Sequence, residues 1–206
     1  PNPKPQTPNP FKGYSARQTK LASDLAKRMF KPKIVLIGPE RSGKTTVANS
    51  LHDLSKEHPQ MYRPTVGARV LNCETLILVN GKSESVEYTL WDVSGNAKYE
   101  SIWPAVQHEA DGVILVANGD VGIRNEQLES WVKNFPKKMR ISPQHCMGIA
   151  NHPSGRISSD AEAFSVLSIP FTHSCFEERT TALFPLISRF VAKILEKKSK
   201  LAEADS

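Results

Sequence analysis

One stretch of eight residues, Gly38 to Thr45, constrains the fold of this chain more than any other. It reads Gly-Pro-Glu-Arg-Ser-Gly-Lys-Thr and matches the phosphate-binding pattern G-x-x-x-x-G-K-[ST] completely. An apolar run of strand length, Lys33 to Ile37, precedes it, and residues 46–51 read as the start of a helix. A strand, a glycine-rich turn and a helix in this order point consecutive backbone N–H groups at phosphate oxygens. The stretch therefore predicts a phosphate site in an α/β domain.

The polar residues of this loop suit a polyphosphate that carries Mg²⁺. Lys44 supplies a mobile cation for the terminal phosphates, and the Thr45 hydroxyl is a suitable metal ligand. A glycine-rich turn that binds nothing is the alternative, and the completeness and position of the motif argue against it. The residues expected to contact the nucleotide here are Glu40, Arg41, Ser42, Gly43, Lys44, Thr45 and Thr46.

Charge is distributed unevenly along the chain. Residues 1–33 hold eight Lys and Arg residues against one acid, so they carry +7, whereas the remaining residues carry −1 and the whole chain +6. A nucleic-acid-binding domain is expected to carry a basic patch on its folded surface, so we predict no nucleic-acid partner. The sequence shows no long apolar run and no charged-then-apolar leader, which predicts neither a membrane span nor a signal peptide.

Composition divides the chain into three parts. Residues 1–31 are predicted to be a basic, proline-rich arm followed by an amphipathic helix over Ser15–Phe30, suited to a membrane surface, to a partner or to packing on its own domain. Residues 32–198 hold the nucleotide-binding domain, and residues 199–206 a flexible tail without a terminal cysteine motif, so no lipid anchor is expected. The three widely spaced cysteines read as packed, reduced thiols of a cytosolic protein.

A loop, a hairpin and a second short motif follow the phosphate loop in an informative order. Thr65 lies in a short loop, and residues 68–91 read as two strands joined by an Asn-Gly turn at residues 80–81. The second strand ends in Asp92-Val-Ser-Gly95. Asp-x-x-Gly is a weak signal alone, but after a complete phosphate loop the order resembles that of the Ras-like small GTPases.

That resemblance implies a three-layer α/β fold, with a mostly parallel sheet, one antiparallel edge strand from the hairpin and helices on both faces. It implies GTP or GDP with Mg²⁺ as ligands, and places Thr45, Thr65 and Asp92 around the metal. The Gly95 N–H would sense the terminal phosphate.

The segment after Gly95 narrows the resemblance. Residues 96–105 read Asn-Ala-Lys-Tyr-Glu-Ser-Ile-Trp-Pro-Ala and are similar to the Rab-like small GTPases of intraflagellar transport complex B. The resemblance implies a protein of the cytoplasm and of the cilium or flagellum and its base. It also implies docking on the coiled-coil subunits of that complex through the two switch loops, which are the loops that contain Thr65 and Gly95. The candidates for an exposed apolar anchor in this segment are Tyr99, Trp103 and Pro104.

Asn96 occupies the position at which Ras-like proteins carry the Gln that orients the attacking water. Its side chain is one methylene shorter, so the resemblance implies a degenerate catalytic residue and slow or absent intrinsic hydrolysis. A solvated loop residue is the alternative interpretation. In the same segment, Ile102 is expected to pack inward.

The two motifs that hold the guanine base in this family are degenerate here. Asn151-His152-Pro-Ser154 stands in place of Asn-Lys-x-Asp, so the carboxylate that pairs with guanine is missing. Residues 171–175 stand in place of the Ser-Ala-Lys loop and keep only its serine. We therefore expect a reduced preference for GTP over ATP. By this resemblance the residues around the base are Asn151, His152, Ser154, Ser174, Cys175 and Phe176.

Two other classes of function fit part of this pattern. A Rab-like GTPase that cycles in membrane traffic shares the nucleotide motifs, although the missing lipid anchor disfavours it. A phosphate-loop small-molecule kinase shares only the first motif, and the sequence has no arginine-rich lid after the apolar strand predicted over Val113 to Ala117. The hairpin after Thr65 also favours a GTPase over a kinase.

Overall fold

The computed structural model describes residues 30–53, 62–79, 82–121, 125–157, 165–166, 168–175 and 183–204. The chain divides into two compact units, Pro1–Lys31 and Pro32–Ser206. The predicted arm and the predicted helix over Ser15–Phe30 lie outside the described residues, apart from Phe30, and so does the hairpin turn at residues 80–81.

The second unit is built on one mixed sheet. Its strands are β1 Lys33–Ile37, β2 Ala68–Val79, β3 Lys82–Val93, β4 Gly112–Asn118, β5 Cys146–His152, β6 Ser165–Val166 and β7 Ile169–Cys175. They lie in the order β2-β3-β1-β4-β5-β7-β6. β3, β1, β4, β5 and β7 pair in parallel, whereas β2 runs antiparallel to β3 at one edge. This confirms the predicted mostly parallel sheet with an antiparallel edge. The sequence predicts neither β7, which includes residues 171–175 that are expected to form the loop under the base, nor the short β6, which pairs antiparallel with β7.

The burial of each strand follows its apolar pattern. β4 and β5 are nearly continuous apolar runs, and almost every residue in them is buried, as expected of central parallel strands covered on both faces. β2 and β3 alternate between buried and more exposed residues, as expected of a hairpin with one solvated face. The exposed apolar residues of β2 are Val70, Leu76 and Leu78.

Helices cover both faces of the sheet. They are α1 Lys44–His52, α2 Trp103–Gln107, α3 Asn125–Val132 and α4 Phe184–Ala204. A 3₁₀-helix over Ala97–Ile102 leads into α2, a π-helical turn over Lys133–Lys137 extends α3, and a 3₁₀ turn over Pro143–His145 precedes β5. Within the described ranges, no helix has the length and apolar composition that crossing a membrane requires.

β1 joins two hydrophobic cores, one on each side of the sheet. Ile34 and Leu36 point into the first core, and Val35 and Ile37 point into the second. Alternate residues of a strand face opposite sides, so an apolar strand between two helical layers contributes to both cores. The packing confirms the predicted three-layer arrangement.

Two helix ends differ from the prediction. The sequence indicates that Pro136 ends a helix at Phe135, but the π-helical turn includes this proline and keeps Phe135 in the core. A wider helical turn accommodates a residue that has no N–H to donate. The sequence predicts a last, amphipathic helix from Thr181 to Lys198, whereas α4 extends to Ala204, so most of the predicted tail is helical. Neither Gly nor Pro interrupts this stretch, and Leu, Ala and Glu favour helix.

Three aromatic side chains from α2, α3 and the π-helical turn pack together. The ring centroid of Trp103 lies 5.4 Å from that of Trp131 and 5.0 Å from that of Phe135. Ile102 packs against the same core, as the sequence predicts. Trp103 is therefore a packing residue, and the prediction that it forms an exposed anchor is wrong.

The three cysteines are Cys73, Cys146 and Cys175, and all are buried thiols that form no disulfide. Burial raises the pKa of Cys146 to about 12, so its thiol stays protonated at neutral pH. The cysteines therefore behave as packed thiols, in agreement with the prediction.

Candidate functional site

The predicted phosphate loop joins β1 to α1 at the carboxyl edge of the sheet. Ligands of open α/β sheets bind at this edge, where the loops after parallel strands meet. Gly43 has a φ of 87° and Arg41 a φ of 59°, so the loop backbone turns sharply before α1. Gly95 approaches the same loop so closely that a Cβ there would lie 2.4 Å from the Glu40 nitrogen. The Asp-x-x-Gly segment therefore packs directly against the phosphate loop.

Lys44 directs its ammonium group into the phosphate loop. Its Nζ donates hydrogen bonds to the Gly38 carbonyl at 2.8 Å and to the Pro39 carbonyl at 2.6 Å. The side chain is buried, and the loss of water lowers its pKa to about 8, although Asp92 and Glu40 act in the opposite direction. A bound polyphosphate would replace the lost hydration with charge-assisted contacts.

Three side chains predicted to surround a metal form one hydrogen-bonded cluster. Thr45 Oγ1 donates to Asp92 Oδ2 at 2.9 Å and lies 2.8 Å from Thr65 Oγ1. Since the Thr45 hydroxyl has only one proton, Thr65 donates in the second bond. The structure thus brings together one residue from a helix, one from a loop and one from a strand.

Asp92 is the most deeply buried member of this cluster, with 0% relative exposure. Burial raises the pKa of its carboxyl group, and the hydrogen bond from Thr45 and the charges of Arg69 and Lys44 oppose that effect. Arg69 Nη2 donates to Asp92 Oδ2 at 3.2 Å and to Asn49 Oδ1 at 2.8 Å. Asp92 Oδ1 has no hydrogen-bond partner among the described residues. Buried polar atoms are normally paired, which favours a ligand or a bound water at this oxygen.

These oxygens fit a hard divalent cation. Mg²⁺ takes oxygen ligands and keeps several waters, so a carboxylate and two hydroxyls suit it. The unpaired Oδ1 of Asp92 is the structural observation that favours an ion here. Thr45 and Thr65 would hold the ion, and Asp92 would hold one of its waters.

Both ends of the Asn96 amide are engaged within the site. Nδ2 donates to Glu40 Oε1 at 2.9 Å, and Oδ1 accepts from the Lys98 backbone N–H at 3.0 Å. The second bond caps the 3₁₀-helix Ala97–Ile102. Asn96 therefore links the Asp-x-x-Gly segment to the phosphate loop.

Two asparagines fasten the phosphate loop to the ends of β4 and β5. Asn151, only 1% exposed, donates from Nδ2 to the Ser42 carbonyl at 3.3 Å. Asn118 donates from Nδ2 to the Arg41 carbonyl at 3.4 Å. Asn151, which is predicted to lie around the base, is thereby joined to the loop that is predicted to hold the phosphates.

Asp120, just after β4, is the centre of a second polar cluster. Its Oδ1 accepts from His152 Nδ1 and from Ser154 Oγ, each at 3.0 Å, and its Oδ2 accepts from the Ser154 backbone N–H at 2.7 Å. His152 Nε2 lies 2.9 Å from His173 Nδ1. Because a carboxylate only accepts, a neutral His152 carries its proton on Nδ1 and accepts from His173 at Nε2.

The remaining predicted residues lie around these clusters. Ser174 and Cys175 are buried at the end of β7, and Ser174 Oγ has no hydrogen-bond partner in the part of the chain that the structure describes. Thr46 lies in the first turn of α1, where its carbonyl accepts from the Ser50 hydroxyl at 3.0 Å. Phe176 lies outside the described residues.

The sequence motifs do not identify three residues of the site: Arg69, Asn118 and Asp120. Position at the carboxyl edge of the sheet is the signal for Asn118 and Asp120, since both lie where β4 ends. Arg69 pairs directly with Asp92 in the register of β2 and β3. Extending the hairpin from its Asn-Gly turn would have placed the two side chains together.

Comparison with known proteins identifies the family. The Roc family, described as "Ras of Complex, Roc, domain of DAPkinase", matches residues 33–153. The intraflagellar transport protein 22 homolog of Danio rerio is 34% identical over 181 residues, which cover 86% of this chain and 97% of that protein. This chain belongs to the intraflagellar transport protein 22 family.

Two further relatives of this family agree. The intraflagellar transport protein 22 homolog of Homo sapiens is 38% identical over 143 residues, which cover 69% of this chain and 75% of that protein. The GTP-bound crystal structure of T. brucei IFT22/74/81 matches with a TM-score of 0.62 and 27% sequence identity, over 82% of this chain and 99% of that chain. These matches confirm the resemblance to the Rab-like small GTPases of intraflagellar transport that residues 96–105 indicate.

Proposed function

We propose that this chain is an atypical small GTPase that binds GTP or GDP with Mg²⁺. We propose that it serves as a subunit of intraflagellar transport complex B, in the cytoplasm and in the cilium or flagellum. The observation that best supports this function is the cluster of Thr45, Thr65 and Asp92, with Lys44 in the adjoining loop. The cluster offers oxygens to a hard cation and the loop offers an ammonium group to a polyphosphate, the two requirements of this class of site.

The same function includes docking on coiled-coil subunits through the loops that contain Thr65 and Gly95. The structural relative is GTP-bound and is a complex of IFT22 with 74 and 81. Thr65 is bonded to Thr45, and Gly95 packs on the phosphate loop, so a terminal phosphate would order both loops. Exposed apolar residues next to these loops would enlarge the docking surface: Tyr62, Val66 and Val70.

Slow or absent intrinsic hydrolysis is the third part of this function. The Asn96 amide is committed to Glu40 and to the Lys98 backbone, which leaves it poorly placed to orient a water. The protein would then act as a lasting, nucleotide-dependent subunit. A fast single-turnover rate would instead favour a GTPase that cycles in membrane traffic.

Titration with a fluorescent GDP analogue in the presence of Mg²⁺ tests nucleotide binding. Lys44→Ala should weaken binding by about 1.5–3 kcal/mol, because it removes a charge-assisted contact. Lys197→Ala removes the same charge from the exposed surface of α4 and should bind as the wild type does. Equal affinity of Lys44→Ala and the wild type would refute the proposed nucleotide site.

A further inference from the structure

Ser154 and Asp120 follow neighbouring strands and share two hydrogen bonds, from the Ser154 backbone N–H at 2.7 Å and from its hydroxyl at 3.0 Å. Ser154 occupies the position at which Ras-like small GTPases carry the carboxylate that binds guanine. Asp120 brings a carboxylate into contact with that position. We propose that Asp120 determines base specificity by fixing the Ser154 hydroxyl as an acceptor for the donor edge of guanine. This inference rests on the proposed nucleotide site.

The hydrogen-bond directions at Ser154 follow from its proton count. Its hydroxyl has one proton and two lone pairs. The proton goes to Asp120 Oδ1, and one lone pair accepts from the Arg156 backbone N–H at 3.3 Å. One lone pair remains, so any further partner of Ser154 Oγ must be a donor. Without Asp120 the same hydroxyl would be free to rotate and donate.

Guanine and adenine differ at the edge that such an acceptor meets. Guanine presents N–H donors at N1 and at its 2-amino group, whereas adenine has an unprotonated N1 and no 2-amino group. Ser154 Oγ, whose proton is held by Asp120, can only accept. It would therefore accept a hydrogen bond from guanine and repel the unprotonated N1 of adenine. Sites with a fixed hydrogen-bond direction reject the analogue that lacks the matching group.

His152 holds the Asp120 carboxylate in place. The ring is buried, donates from Nδ1 to Asp120 Oδ1 and contacts His173 through Nε2. Gly119 leaves room for this ring, since a Cβ at residue 119 would lie 2.4 Å from two ring atoms. Burial alone would raise the pKa of Asp120, but hydrogen bonds from Ser154 and His152 outweigh it and lower that pKa. The carboxylate is therefore charged at neutral pH.

The negative charge that the sequence lacks at residue 154 is thus supplied from the end of β4. A second carboxylate at residue 154 would face Asp120 at hydrogen-bond distance, and the like charges would repel each other. Ser154→Asp alone should therefore weaken GDP binding rather than restore a family-like site. Combined with Asp120→Asn it should strengthen binding, because one carboxylate then faces an amide donor.

Competition of GDP and ADP against a fluorescent GDP analogue, with Mg²⁺ present, tests this assignment. The wild type should prefer GDP, and Asp120→Asn should lower the ratio of the two affinities about tenfold, the effect of one lost hydrogen bond. Ser154→Asp should bind GDP less tightly than the wild type, and Asp120→Asn/Ser154→Asp more tightly than either single variant. Glu196→Gln removes an exposed negative charge on α4 and should leave the ratio unchanged.

Ser154→Ala is the second variant, because it removes only the hydroxyl, and it should also lower the ratio; circular dichroism checks that each variant is folded. An unchanged ratio in Asp120→Asn and Ser154→Ala, or tighter GDP binding by Ser154→Asp alone, would overturn the assignment of Asp120. Equal wild-type affinity for GDP and ADP that still depends on Lys44 would overturn it too and leave the proposed nucleotide site standing. Failure of the wild type to bind either nucleotide would overturn both.

Discussion

Lys44 carries a positive charge that the fold has largely removed from water. Its ammonium group relies on two loop carbonyls, from Gly38 and Pro39, and on the more distant charges of Asp92 and Glu40. Carbonyl groups replace hydration only in part, which explains why burial lowers the pKa of this lysine. An anion bound beside Lys44 would therefore stabilise its charged form, and binding would raise the pKa of this lysine.

Nucleotide affinity is expected to fall as the pH rises through about 8. Burial lowers the pKa of Lys44 to about 8 in the free protein, and a bound polyphosphate would raise it. Between these two values the complex holds a proton that the free protein has lost, so binding weakens by up to about tenfold per pH unit. GDP titrations from about pH 7 to about pH 9.5 would measure the slope, and Lys44→Arg should flatten it. A wild-type affinity that is constant over this range would contradict the prediction.

The stability of the free protein should respond to pH with the opposite sign. The unfolded chain keeps the Lys44 proton up to the ordinary value of 10.5, whereas the folded chain loses it near 8. Between these values the unfolded state binds more protons, so this group makes the folded state more stable as the pH rises. Below about pH 8 both states hold this proton, so Lys44 adds no pH dependence to the stability there.

Asn96→Gln tests whether side-chain length limits hydrolysis. The longer amide would reach further toward the terminal phosphate, so single-turnover GTP hydrolysis should rise on the order of tenfold. Glu40→Ala separates length from engagement, because it releases the Asn96 amide from one partner without lengthening it. A comparable rise in Glu40→Ala would show that the bond to Glu40, and not side-chain length, limits hydrolysis. If Asn96→Gln hydrolyses GTP no faster than the wild type, length is not the limit.

At the level of elements, the structure is predictable wherever the signal is local. The hairpin of β2 and β3 follows from an Asn-Gly turn and from alternating polarity. Both strands pair over their full length, from Ala68 opposite Val93 to Val79 opposite Lys82. The π-helical turn is different. Proline predicts a stop by its missing N–H, but the packing of Phe135 in the core keeps the chain helical past Pro136.

Trp103→Ala should lower the free energy of unfolding by about 2–3 kcal/mol, because the ring packs against Trp131 and Phe135 but is not fully buried. Urea unfolding followed by circular dichroism would measure the loss. Tyr99→Ala is the matched variant: the ring is half-buried and lies 4.8 Å from Lys98 Nζ, so the loss should stay below about 1 kcal/mol. Similar losses in the two variants would show that Trp103 is not a packing residue.

At the level of the whole molecule, the two halves of the candidate site differ in how far the sequence reveals them. In the phosphate half, the loop from Gly38 to Thr45 is one contiguous motif, so its residues could be named from the sequence alone. The base half is assembled by contacts between distant residues: Asp120 meets Ser154 across a separation of 34 residues, and Asn118 meets Arg41 across 77. No local pattern encodes such contacts, and only the strand order brings the ends of β4 and β5 together.

Thr65→Ala should weaken capture of the proposed coiled-coil partner in the presence of a GTP analogue. Thr65 is bonded to Thr45, so the substitution would remove the hydrogen bond that joins the loop from Tyr62 to Gly67 to the metal cluster and would leave the contact of Tyr62 with Arg41. Pull-downs with the partner in GTP-analogue, GDP and nucleotide-free conditions would measure the effect. Val121→Ala, an exposed apolar residue after β4, is the control. Equal capture in all three conditions would show that nucleotide does not regulate docking.

The bonds from Asn151 to the Ser42 carbonyl and from Asn118 to the Arg41 carbonyl bear on the release of nucleotide. They link the ends of β4 and β5 to the backbone of the phosphate loop, so the groups proposed to hold the base and those proposed to hold the phosphates are coupled. A protein that displaced only the end of β5 would shift the Ser42 backbone through Asn151 and weaken the binding of the phosphates. An exchange factor for such a site would not have to reach the phosphates or the metal.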